Sequence, residues 1–279
     1  LEPAQMSLGR YLEVTPNPTS DAQQRAQTEA FLGLSQIAEK RKDFAMAEKW
    51  MERIENPGDR IIITARRAQL LARQGRMEQA RELIQAWPAA TPADERTRLM
   101  AEVQLLRENG KLVEAYELLG AAIQRKPEDH ELLYDQALVA EKMGNFEVME
   151  RLLRALIAAK PDYHHAYNAL GYSFADRNIR LAEARQLINK ALEFAPDDPM
   201  IRDSLGWVEF RSGNTSEALK ILQSAYKARP DADIAAHLGE VLWVSGQREQ
   251  ALTVWKEGLR EGSESETLTE TLRRFQVNP

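Results

Sequence analysis

The stretch Ala166-Tyr167-Asn168-Ala169-Leu170-Gly171-Tyr172-Ser173-Phe174, followed by Ala184, Ala191 and Pro196, decides how the whole chain is read. Its glycine returns as Gly206 and Gly239, and its proline belongs to the series Pro127, Pro161, Pro196 and Pro230. A third series pairs a turn residue with a small residue five positions later: Lys42/Ala47, Gly75/Ala80, Gly110/Ala115, Gly213/Ala218 and Gly246/Ala251. Gly144/Met149 keeps the spacing with a larger residue, and Ala184 follows a turn one residue longer. From Ala47 to Ala251 the successive intervals are 33, 35, 34, 35, 34 and 33 residues. Three residue classes sharing one period define a repeat.

Each class has a physical role. A turn glycine adopts the left-handed conformation that ends the first helix of a pair. The alanine and the mid-helix glycine let two helix backbones cross closely. Proline lacks an N–H and disfavours helical geometry in the residue before it, so it closes each pair. The acids after it, as in Pro127-Glu128-Asp129 and Pro196-Asp197-Asp198, suit the positive end of the next helix.

Composition agrees. Beside 14 glycines and 12 prolines the chain is rich in Ala, Leu, Glu, Gln, Arg and Lys, the strong helix formers. Ile61-Ile62-Ile63 reads as strand in isolation, but the period places it at a helix start. The net charge of -6 with interspersed signs and no basic block argues against a nucleic-acid partner, and none is expected. The absence of cysteine removes disulfides, thiolate catalysis and thiolate metal sites. No apolar run is long enough to span a bilayer. Leu1-Glu2-Pro3 does not read as a signal peptide, so a fragment or processed form is expected.

Catalytic patterns are missing: there is no phosphate-binding glycine loop, nucleophile elbow or His-Glu-x-x-His helix. Of His130, His164, His165 and His237, the adjacent pair diverges by about 100° on a helix and cannot grip one metal. The expectation is no enzyme, no cofactor and no metal.

The repeat resembles the tetratricopeptide repeat (TPR) family, whose 34-residue pattern runs bulky residue, Leu-Gly, aromatic, Gly-Asn/Asp-aromatic turn, Ala and Pro. Lys42-Asp43-Phe44 and Gly144-Asn145-Phe146 supply that turn elsewhere. The resemblance implies an all-α, right-handed superhelical solenoid of about seven helix pairs with a C-terminal capping helix. As a single solenoid, residues 1–27 form a partial repeat and loop, 28–262 the seven repeats and 263–279 the cap. Residues 1–15 are expected to be a second helix, followed by the Pro16-Asn17-Pro18 loop; Ser265 caps the last helix, with Leu268, Leu272 and Phe275 on one face. Arg67 and Glu102 stand where the family prefers leucine, and Asp59 where it has proline, although Pro57-Gly58 still breaks the chain.

The family's first helices line a concave face. In repeats one to three the corresponding stripe is mostly polar. In repeats four to seven it gathers Tyr134, Leu138, His165, Asn168, Tyr172, Met200, Asp203, Trp207, Phe210, Glu240 and Trp243, which are the candidate partner-binding residues. For Trp207, Phe210, Tyr172 and Trp243, groove anchoring and core packing stay open as alternatives, whereas Trp255, Tyr167 and Phe174 are assigned to the core. No matched set of basic residues and asparagines surrounds Asn168, so a carboxylate-clamp groove is not expected.

Ala175-Asp176-Arg177-Asn178-Ile179-Arg180-Leu181-Ala182-Glu183-Ala184 resembles the TPR lipoproteins of proteobacteria. So do Ala195–Pro199, Asp203–Val208 and Ile234–Trp243. That resemblance implies a periplasmic adaptor, anchored to the outer membrane through a lipidated cysteine outside this sequence. Such an adaptor brings a carboxyl-terminal-processing protease to cell-wall hydrolases. The alternatives are a scaffold of an exopolysaccharide or envelope assembly complex, a regulatory arm of a larger enzyme, and a cytoplasmic location.

Overall fold

A computed structural model describes residues 2–54, 61–262 and 265–278 of the chain. Among the described residues there are sixteen helices and no strand. Helix α1 (Glu2–Val14) precedes seven pairs: α2 (Asp21–Lys40) with α3 (Phe44–Glu52), α4 (Ile61–Arg73) with α5 (Met77–Gln85), and α6 (Pro92–Glu108) with α7 (Leu112–Arg125). The series continues with α8 (His130–Lys142) and α9 (Phe146–Ala159), α10 (His164–Asp176) and α11 (Leu181–Phe194), and α12 (Pro199–Arg211) and α13 (Thr215–Ala228). Helices α14 (Ala232–Val244), α15 (Arg248–Glu261) and the terminal α16 (Glu266–Phe275) complete it. The all-α reading holds, and the three isoleucines at 61–63 open α4.

The turn series is a series of left-handed residues. Lys42, Gly75, Gly110, Gly144, Gly213 and Gly246 all have positive φ, between 61° and 87°. The longer fifth turn uses two such residues, Asn178 and Arg180. Helix starts are capped as the acids and hydroxyls suggest: Asp43 accepts from the Met46 N–H, Asp198 from Met200 and Ile201, and Ser265 from Leu268. Thr91 and Asp94 form a reciprocal capping box. The Pro57-Gly58 break and Asp59 lie outside the described residues.

The chain divides into two compact units, residues 1–122 and 123–279. In unit 1, Leu12, Phe31, Leu34, Met51, Ile54 and Ile63 form the first core cluster, with the Arg53 guanidinium lying over Phe31 and Trp50. The residues that break the leucine pattern here are paired. Arg67 donates to the Met51 carbonyl at 2.8 Å, and buried Glu102 accepts from Arg81 and Gln85, each at 2.9 Å. A buried polar group with its partners in place costs little, so the repeat tolerates these exchanges.

In unit 2 the small residues mark where backbones cross. Ala184, Ala218 and Ala251 have no exposed surface. A Cβ added at Gly206 would lie 2.6 Å from Leu222, and one at Gly171 would lie 2.9 Å from the Ala184 carbonyl oxygen. At Gly239 it would fall 2.1 Å from Trp255 Nε1. The indole fills the space a side chain would need, and its N–H donates to the Ala236 carbonyl at 3.4 Å.

Candidate functional site

The stripe residue Tyr172 reaches a first helix two repeats away, and Lys142, next to the stripe, reaches the terminal helix. Tyr172 on α10 shares a hydrogen bond with His237 on α14, 65 positions away, and Lys142 at the end of α8 pairs with Glu266 on α16 at 2.7 Å, 124 positions away. Contacts that skip a whole repeat form only on the inside of a curved stack, so this stripe is the inner face of unit 2.

The candidate residues separate along that face. Near its start they remain accessible. Tyr134, Leu138, Asn168 and Met200 are half-buried and His165 is exposed. The Tyr134 ring meets Tyr163 edge-on at 5.7 Å and His165 at 6.1 Å, while Tyr163 lies 5.6 Å from His165. Burial, then the neighbouring Tyr163, pushes the Tyr134 hydroxyl up to about 12. Burial and the adjacent His164, whose ring centre is 4.0 Å away, hold His165 below the usual imidazole range. Asn168 Oδ1 is enclosed and has no hydrogen-bond partner. The result is a neutral aromatic ledge beside an unused acceptor.

Toward the other end the same stripe closes up. Trp207 is 2 % exposed, stacked on His237 at 4.4 Å, with Phe210 at 5.5 Å and the Arg211 guanidinium 5.5 Å from its ring. Asp203 is buried and pairs with His237 Nδ1 at 2.8 Å. Glu240 is buried under Arg274 of α16. Trp243 packs against Trp255 at 5.6 Å and Phe275 of α16 at 6.0 Å. Of the two alternatives left open for the tryptophans, packing accounts for Trp207 and partly for Trp243. Tyr172 and Phe210 are half-buried between the two zones. Tyr167 is half-buried rather than enclosed, with its ring 6.3 Å from Phe194, while Trp255 and Phe174 are fully buried.

His237 and the α16 residues Arg274 and Phe275 were not among the candidates. One signal for His237 was present: it stands 34 positions after Asp203, one repeat away, so the two helices bring them side by side. Among the described residues no cluster of three or more His, Cys, Asp or Glu could hold a metal. No described helix is long and apolar enough to cross a membrane.

The tetratricopeptide repeat pattern matches residues 134–199 and 204–266, which span the ledge and the closed zone. These are tetratricopeptide repeats. A TPR repeat-containing protein of Pseudomonas aeruginosa is 36% identical over 211 residues, covering 76% of this chain. The chain spans 36% of that relative's length. Two solved structures share the fold. A tetratricopeptide repeat protein of Parabacteroides merdae matches 90% of this chain and 99% of its own, with a TM-score of 0.60 and 17% identity. A thermophilic TPR protein of Thermus thermophilus matches 65% of this chain and 99% of its own, with a TM-score of 0.57 and 20% identity. Tetratricopeptide repeats in general stack into extended curved surfaces that bind other proteins, and residues 134–199 and 204–266 carry that repeat.

Proposed function

We propose that the inner face of unit 2 binds a protein partner in the periplasm, and that this partner is a carboxyl-terminal-processing protease which the scaffold brings together with its cell-wall hydrolase substrates. The observation that carries the binding reading is the ledge. Tyr134, Tyr163 and His165 are gathered on a curved face with Leu138 and the unpartnered Asn168 Oδ1. Aromatic side chains supply large contact area at low entropic cost and dominate binding hot spots.

The protease reading is supported by the runs Ala175–Ala184, Ala195–Pro199, Asp203–Val208 and Ile234–Trp243 and their resemblance to lipoprotein adaptors. The test is a pulldown with the purified cognate processing protease, together with hydrolase cleavage rates with and without this chain. Retention on the chain and faster cleavage support the proposal. No retention and an unchanged rate would refute the adaptor role.

A further inference from the structure

Three inner helices of unit 2 are tied by one buried polar chain. The His237 ring on α14 bonds through Nδ1 to Asp203 Oδ2 on α12 at 2.8 Å and through Nε2 to the Tyr172 hydroxyl on α10 at 3.2 Å. Asp203 and His237 are each 3 % exposed, and the Trp207 ring stacks on the imidazole. Asp203 Oδ1 has no partner, so the carboxylate depends on the imidazole.

The surroundings fix the sign of the charge this site prefers. Around the pair stand Asp176 on α10, Asp233 and Glu240 on α14, and Asp231 just before α14. Glu141 of α8 faces Tyr172. The cations that approach are Arg274 of α16, bonded to Glu240, and Arg211 of α12, which lies over the Trp207 ring and acts on Glu240 only through its charge. Burial works against a charged imidazole, but Asp203, Asp176 and Glu240 outweigh it and hold His237 above the usual imidazole range. For Asp203 burial acts in the other direction and raises the carboxyl, against the pull of His237.

We propose that Asp203, His237 and Tyr172 form a proton-held clasp between repeats five, six and seven, closed while the Asp203–His237 pair holds a proton and loosened when it is lost. Loss of the proton leaves a neutral ring that keeps one N–H for Asp203 but removes the positive charge that balanced the buried carboxylate among four other acids, a state that burial disfavours. The fold relieves it by letting α12 and α14 part and admitting water. If the inner face binds a partner as argued above, its grip weakens as the solution turns alkaline.

The clasp is tested on the chain alone, so its failure leaves the scaffold reading untouched. An imidazolium stacked on an excited indole accepts its electron and quenches it. Emission of the wild-type chain therefore rises through a step as pH increases from about 5.5 to about 9, with its midpoint above the ordinary imidazole value of about 6.5. The step is absent in His237→Gln and in Trp207→Phe. In Asp203→Asn, burial acts without its opposing carboxylate, and the midpoint falls by about one pH unit or more. A flat wild-type profile, a step that survives His237→Gln, or an unmoved midpoint in Asp203→Asn would overturn the proposal. Should His237→Gln not fold, the Asp203→Asn midpoint decides.

Discussion

Replacing Trp207 with alanine asks whether this residue is an anchor for a partner or a strut of the stack. Its side chain is 2 % exposed and wedged between His237 and Phe210, with Arg211 over the ring. A buried indole removes roughly 200 Å² from water, which at about 25 cal/mol per Å² amounts to about 5 kcal/mol. Large-to-small core substitutions at aromatic sites cost about 3–5 kcal/mol, because the surroundings collapse only in part. The His237 ring loses its stacking partner as well. Denaturant unfolding of the whole chain should therefore show unit 2 destabilised by about 3 kcal/mol or more. The thermal midpoint should fall by on the order of 6–12 °C at the usual 2–4 °C per kcal/mol for a segment of this size. A loss below about 1 kcal/mol, with partner binding abolished, would show that the indole is an exposed anchor and that the closed zone is open in solution.

Three further substitutions probe the stack. Gly239→Ala would place a methyl 2.1 Å from Trp255 Nε1, and a rigid ring that cannot step aside makes this cost about 1–3 kcal/mol or more. Gly9→Ala, with nothing within 4 Å, should instead be neutral or mildly stabilising, and thermal melts of the two variants give the comparison. The Glu150 carboxyl, bonded first by Arg180 and then by Arg154, is held at about 2 against an ordinary 4.5. A lowered acid pKa contributes stability that is present above 4.5 and is lost as pH falls through about 2. Glu150→Gln should therefore lower the melting temperature near neutral pH, and the gap to wild type should shrink toward pH 2. A constant gap would count against the pairing.

The period of the turns was legible because each turn needs a left-handed residue, and five of the six unstretched turns spend a glycine on it. The helix starting at Ile61 followed from the same period, even though three β-branched residues in a row favour a strand. That the candidate residues share one stripe of each first helix was also legible, since helical spacing fixes side-chain directions about the helix axis, whereas the inward direction of that stripe came from the family resemblance. Depth was not legible. Trp207 and Leu138 occupy the same stripe position two repeats apart, yet one is enclosed and the other is half-buried beside the ledge. The difference is made by His237 from the next repeat, with Phe210 and Arg211 closing over the indole. Those contacts depend on how closely neighbouring helices approach, which no single repeat encodes. Arg67 and Glu102 show the same limit, because their partners Met51, Arg81 and Gln85 lie 16 to 21 positions away on other helices.

The central claim is that the accessible start of the inner face grips a protein partner. The affinity of the purified processing protease for the wild-type chain, for Tyr134→Ala/His165→Ala, and for Glu147→Ala/Arg151→Ala on the exposed surface of α9 tests it most directly. The account predicts a loss of about tenfold or more for the ledge pair, with helical content retained and the α9 pair unchanged, since hot-spot truncations cost about 2 kcal/mol or more. Undiminished affinity in the ledge variant, or a loss confined to the α9 pair, would contradict it.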